Sequence, residues 1–245
     1  MRIPLLLSAL LLWGACREKP VVSIESFRKE KGTDCDQPDT LRTNCARIDL
    51  QYPVLKSGPQ ALRDSAGRWV NSYLFGMLAP ESEQPVSSLD EAAQAFFANH
   101  ETFRESVMYG AFEAQCGGEV ALDDGKHLTL AMSGYTFQGG AHGSSNAAVA
   151  TFDVATGRQL RWPDLIADLP ALKKLLEQKF RQAQAEAFRD GFNFDTTFPF
   201  ELPQNFGLTP TGIYCVYNPY EVAPYALGST EIDLTFDEIQ SLLKK

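Results

Sequence analysis

The sequence predicts an α+β fold, with antiparallel hairpins packed with about four helices and two related halves forming one body. Three observations predict it. Short segments alternate apolar and polar positions as half-buried strands do, beginning with "ARIDLQYPVL" from Ala46. Other segments place apolar residues three and four apart, the spacing of one helix face. The helical and the hairpin segments fall in separate runs rather than in strict alternation, which argues against a parallel α/β sheet.

The chain opens with "MRIPLLLSALLLWGAC": one Arg, an apolar run too short to span a bilayer, and small residues before Cys16. This is a secretion signal, and its ending predicts cleavage ahead of Cys16 and lipidation of that cysteine, with an ordinary signal peptide as the competing reading. Residues 1–15 are then the signal and residues 16–34, mostly polar and charged, a lipidated flexible tether. The folded body divides into an N-terminal half, residues 35–157, and a C-terminal half, residues 158–245.

Five cysteines suit an oxidising compartment only if one is set aside. Giving Cys16 to a lipid leaves Cys35, Cys45, Cys116 and Cys215, an even set with three possible connectivities. No CxxC pair occurs among them, so disulfides are favoured over zinc. The expected pairs are Cys35 with Cys45, closing a short loop ahead of the opening strand, and Cys116 with Cys215, tying the middle hairpin to a strand near the end. Without its signal the chain keeps 21 of its 22 Lys and Arg against 31 Asp and Glu, a net charge of −10. That balance excludes nucleic acid as a partner and suits either a solvated surface or a basic ligand.

After the first strand come two helices. The first turns Leu62, Ala66, Trp69, Val70, Tyr73, Leu74 and Met77 to one side. The second starts at Ser88, with Glu91 completing a capping box, and faces inward with Ala92, Ala93, Phe96, Phe97 and Phe103. His100 shares that stripe and is expected at the edge of the core, since no second ligand stands one turn away. Two strands follow, "SVMYGAFEAQCGGEVAL" and "KHLTLAMSGYTF", joined at Asp123, Asp124 and Gly125, a hairpin turn that leaves His127 solvated.

A second hairpin is expected around Thr156 and Gly157. The next helix is capped by Asp168, carries Pro170 in its first turn, buries Leu172, Leu175, Leu176, Phe180, Ala183 and Ala187, and ends at Gly191. A strand pair then crosses a Thr-Pro-Thr-Gly turn. A short last helix opens with a capping box of Thr235 and Glu238.

Two segments specify more backbone shape than a connecting loop needs. One is "QGGAHG", with Gly139 and Gly140 ahead of His142; the other is "NPYEVAPYALG", where Pro219 and Pro224 interrupt a strand and Tyr217, Tyr220 and Tyr225 crowd together. An enzyme reading makes His142 a general base, Ser144 or Ser145 a nucleophile and Asp153 the orienting acid. Such groups ordinarily meet from separate elements, and no G-x-S-x-G elbow is present. A metal reading needs ligands that His100 and His127 do not supply. The remaining reading makes His142 a turn lock at the rim of a binding surface, its ring nitrogen bonded to the segment from Tyr217 to Gly228. No cofactor and no metal are expected.

The order "GYTFQGGAHG", "TFDVATGRQL", a helix, "NPYEVAPYALG" and "EIDLTFDEI" resembles the extracytoplasmic region of RsiV-type anti-sigma factors. It is also similar to the non-catalytic region that precedes the deacetylase domain in PdaC-type peptidoglycan enzymes. The resemblance runs from about Cys45 to Leu243. It implies an envelope-facing α+β binding module, with lysozyme or peptidoglycan as the expected ligand. Sigma-factor control and deacetylation do not transfer, because the segments that carry those activities are not in this sequence. A structural envelope lipoprotein with an unknown protein partner is the plainer alternative.

Overall fold

The computed structural model describes residues 19–38, 43–80, 85–106 and 111–244. Cys16 and the expected signal, residues 1–15, lie outside the described residues. Two sheets stand back to back. The first has five strands, β1 (Val22–Gly32), β2 (Cys45–Leu55), β3 (Phe112–Asp123), β4 (His127–Phe137) and β5 (Ser144–Asp153), in that spatial order. The second has three, β6 (Asn205–Thr209), β7 (Gly212–Tyr217) and β8 (Thr230–Thr235). All neighbours are antiparallel except β2 and β3, which run parallel because α1 (Gln60–Leu78) and α2 (Leu89–Ser106) form the crossover between them. The fold is α+β.

Period-two alternation assigns each side of the first sheet its task. Ile48, Leu50, Phe112, Ala114, Leu128, Leu130, Met132, Ala150 and Phe152 face α1 and α2, where Leu62, Ala66, Val70, Leu74, Ala92, Ala93 and Phe96 meet them. His100 is buried there, its ring edge-on to Phe112 at 5.1 Å. The second sheet packs Ile213, Cys215, Tyr217, Ile232 and Leu234 against Leu172, Leu176 and Phe180 of α4 (Leu169–Ala183). Trp162, in the short α3 (Trp162–Leu165), stacks on Phe206 at 3.8 Å and donates its indole N–H to the Pro203 carbonyl.

The outer sides of the two sheets meet along β5 and β6. Thr129 and Thr151 share a buried hydroxyl bond of 2.8 Å, and Thr151 Oγ1 also accepts from the backbone N–H of Leu208. Gly207 makes this approach possible. A Cβ there would stand 2.5 Å from the Thr129 methyl and 2.6 Å from Val149.

Four expectations are corrected. Residues 16–34 are not all tether, since Val22–Gly32 pairs along its whole length with β2 and the N-terminal half begins there. The segment is charged because it is an edge strand: Lys29 and Lys31 reach Asp90 and Glu101 of α2, and Lys56 pairs with Glu25. The hairpin at Thr156 and Gly157 forms but is shorter than expected, closing through the Phe152–Gln159 bridge with bonds from the Asp153 N–H to the Arg158 carbonyl and from the Leu160 N–H to the Thr151 carbonyl. The helix expected to reach Gly191 breaks at Gln184, α5 (Ala185–Arg189) completes it, and Ala183, expected on the buried stripe, is exposed at the break.

The fourth concerns the cysteines. Cys35 and Cys45 are joined, as expected, but Cys116 and Cys215 are free. Each is buried in a different core, Cys116 under the helices of the first sheet and Cys215 under α4, so the two thiols face away from each other across the layers. Burial pushes the Cys116 thiol up to about 12. Cys215 is raised as well, by burial first and the Asp233 carboxylate second.

Candidate functional site

The two segments singled out in the sequence meet at one end of the first sheet. The hairpin from β4 to β5 turns through Gly139 and Gly140, whose φ angles of 83° and 90° any larger residue adopts at a cost. Gly139 also lies flat against Phe103 of α2, where a Cβ would come within 2.3 Å of the ring. His142 projects from this turn and is exposed to solvent.

The "NPYEVAPYALG" segment is fastened to the same turn. Asn218 acts as a one-residue strand on the edge of β5: its side-chain amide donates to the Ala147 carbonyl at 2.9 Å and accepts from the Ala147 N–H at 2.7 Å. Pro224 opens a short 3-10 turn, Tyr225–Leu227, that swings Tyr225 back over the glycines. The Tyr225 hydroxyl donates to the Gly143 carbonyl at 2.8 Å, and its ring stacks on His142 with centroids 4.1 Å apart. Tyr220 follows at 5.9 Å from Tyr225 and is 62% exposed. It holds φ at 72°, fixed by a bond from its N–H to the Ala223 carbonyl, so an aromatic residue is displayed at a backbone cost.

The turn-lock expectation is therefore corrected in detail. His142 Nδ1 donates not to the second segment but to the carbonyl of Gly143 at 3.0 Å, and the second segment contributes a ring face and a hydroxyl instead. Tyr217 is no surface residue: it is buried in the second core with its hydroxyl on the Glu201 carbonyl, and burial raises its pKa. Asn218, the first residue of the second segment, carries no role in the sequence reading and gains one only from its pairing with Ala147. An Asn just past a strand end, before Pro, is its only local signal.

The enzyme reading does not assemble. Ser144 and Asp153 are the first and last residues of β5, which at about 3.3 Å per residue sets them roughly 30 Å apart. Asp153 instead accepts from the Thr156 N–H and hydroxyl, which hold its carboxyl below the usual range. His127 is bound to Asp124 at 3.2 Å beside the opposite turn. Cys35, Cys45 and Glu30 stand close enough for a metal, but both sulfurs are committed to the disulfide.

One cleft adjoins the aromatic row at His142, and another opens elsewhere between the sheets. The first, of about 620 Å³, runs between the ends of α1 and α2 and the glycine turn, and His142 forms part of its wall. Asn99, Gln138, Thr136 and Ser144 supply its polar groups, and Leu78, Ala79, Pro80 and Phe103 its apolar ones. Asn99 donates its amide to Gln138, whose own amide is anchored on the Met77 carbonyl. The second cleft, about 600 Å³, opens where the sheets diverge and carries Glu119, Glu231 and Asp233 around Tyr214. Burial and then the Glu231 carboxylate raise the pKa of Tyr214.

Comparisons with known proteins agree with this layout. Residues 40–145 match the family described as deacetylase PdaC, and residues 163–237 match a family described as a protein of unknown function, DUF3298. No curated protein matches. A crystal structure of a DUF3298 family member from Bacteroides fragilis is 22% identical, with 93% of this chain and 95% of that one covered and a TM-score of 0.64. A DUF3298 family protein from Pseudomonas aeruginosa PAO1 is 18% identical, with coverage of 91% and 95% and a TM-score of 0.62. At these identities the likeness carries the fold. The glycine turn closes the first matched segment and the tyrosine segment lies in the second. The chain is thus built as a PdaC-like segment followed by a DUF3298-type segment, consistent with the RsiV-type and PdaC-type extracytoplasmic regions that its sequence resembles.

Proposed function

We propose that this protein is a non-catalytic binding module of the bacterial cell envelope, anchored by lipid on Cys16 and displayed outside the cytoplasm, with peptidoglycan as its ligand. The single observation behind the ligand class is the row of exposed His142, half-buried Tyr225 and exposed Tyr220 beside a cleft of mixed polar and apolar lining. Rigid aromatic faces next to a few convergent hydrogen-bonding groups suit a neutral, many-hydroxyl polymer. The signal pattern and the family matches support the location.

Co-sedimentation of the lipid-free body with insoluble peptidoglycan tests the reading. Retention that is lost on Tyr220→Ala is the expected result, and no retention at any salt concentration overturns it. Mass spectrometry of the mature N-terminus tests the anchor: a free amine on any residue other than Cys16 removes it.

A second reading, binding of a basic protein such as lysozyme, draws on a different observation. The carboxylates Glu119, Glu231 and Asp233 flank an open cleft on a chain of strongly negative net charge. Complementary fields raise association rates more than contact energy, and salt screens them beyond about 8 to 10 Å. Lysozyme binding that weakens steeply with salt supports this reading, and none at low salt removes it.

A further inference from the structure

We infer that the cleft beside His142 is a subsite for the acetamido group of an N-acetylated amino sugar, with the free face of His142 and the exposed ring of Tyr220 carrying the sugar rings and Tyr225 backing His142. The inference rests on the peptidoglycan reading and makes it specific. An acetamido group has one donor, one acceptor and one methyl. The cleft presents a matching set: the side-chain amides of Asn99 and Gln138 and the Ser144 hydroxyl on one side, and the apolar surfaces of Leu78 and Phe103 on the other.

The geometry is preorganised. The amides of Asn99 and Gln138 are bonded to each other at 3.1 Å and tied to the end of α1 through the Met77 carbonyl at 3.2 Å, so their polar atoms are fixed before any ligand arrives. Phe103 is locked against Gly139. His142 belongs to both parts, since it walls the cleft and stacks on Tyr225. One face of His142 is covered by Tyr225, so a sugar ring resting on its other face sits at the cleft wall, where a substituent on the ring can enter. Tyr220 extends the row by one more ring, enough for a neighbouring sugar. Its left-handed backbone is held by the bond from its N–H to the Ala223 carbonyl, and its ring is exposed.

The chemistry gives a test that opposes charge. A glucosamine oligomer with free amines is cationic and is drawn to a chain of net charge −9, whereas its N-acetylated counterpart is neutral. Calorimetry on the full folded chain, with the two oligomers at equal length and at low and physiological salt, separates the effects. The N-acetylated oligomer is expected to bind at least about tenfold more tightly at physiological salt. Tyr220→Ala weakens it by about fivefold, and Asn99→Ala narrows the preference between the two oligomers. Tighter binding of the free-amine oligomer, or affinities indifferent to both substitutions, overturns the subsite. Should neither oligomer bind while insoluble peptidoglycan still retains the protein, the subsite fails and the wider binding reading stands. Failure of both retires both. Circular dichroism of each variant, with unchanged melting temperature expected for exposed Tyr220, guards against misfolding as the cause.

Discussion

Tyr225 and His142 lie ring against ring, planes 23° from parallel, while the Tyr225 hydroxyl and the His142 Nδ1 both donate to one oxygen, the carbonyl of Gly143. The arrangement ties a glycine turn in the first matched segment to a loop in the second, and it separates hydrogen-bonding from stacking contributions. Tyr225→Phe deletes one bond and keeps the stack, at a cost of about 1 kcal/mol. Tyr225→Ala loses both and costs about 0.5 to 1.5 kcal/mol more. His142→Ala, at an exposed position, costs under about 1 kcal/mol. Urea unfolding of the three variants checks the order.

The seam between the sheets is expected to be more sensitive. Thr151→Val keeps the shape of the side chain but leaves the buried Leu208 N–H without its acceptor and Thr129 without its hydroxyl partner. Leaving such a group unsatisfied costs about 1 to 3 kcal/mol, to be read as a shift of the urea midpoint at constant slope.

Replacing both Cys35 and Cys45 with Ala opens a loop of sequence separation 10 and lowers stability by about 2 to 3 kcal/mol through the entropy of the unfolded chain. The loss should appear chiefly as a lower urea midpoint of the double variant against the oxidised parent.

Cys116 and Cys215 are expected to resist thiol reagents at pH 8 in the native state and to react fully once unfolded. Burial, with the Cys116 thiol pushed up to about 12, leaves almost no thiolate at that pH. Rapid labelling of either in the folded protein contradicts the two-core packing described above.

Glu238 supplies a pH signature. A hydrogen bond from Lys179, and then bonds from the Thr235 N–H and hydroxyl, hold its carboxyl down to about 2 from an ordinary 4.5. Because the folded value is depressed, its stabilisation is fully present above about pH 4.5 and is lost as pH falls through about 2. Glu238→Gln should therefore cost stability at pH 7, by about 0.5 to 1 kcal/mol given how exposed the group is, and the cost should shrink toward zero as pH falls through about 2. A difference between variant and parent that stays constant across this range refutes the assignment.

Local signals in the chain were enough for the faces of α1 and α2, the caps at Ser88 and Thr235, the Asp124 turn and the Cys35–Cys45 bridge. Each depends on residues within about ten positions of one another, where spacing maps directly onto geometry. The same locality made "QGGAHG" and "NPYEVAPYALG" stand out, since paired glycines and X-Pro steps constrain the backbone wherever they occur.

Long-range pairing decided the rest. Val22–Gly32 looks like a tether because an edge strand carries charge, and only its register with β2 shows what that charge is for. Cys116 and Cys215 satisfy parity in sequence, yet alternation along β3 and β7 sends them into separate cores. Tyr217, Tyr220 and Tyr225 are near neighbours in the chain, and a single turn buries the first, strains and exposes the second, and lays the third on His142. Side-chain direction in a strand reverses at every residue, so which of them reaches a surface is settled only when the two sheets and the loop across them come together.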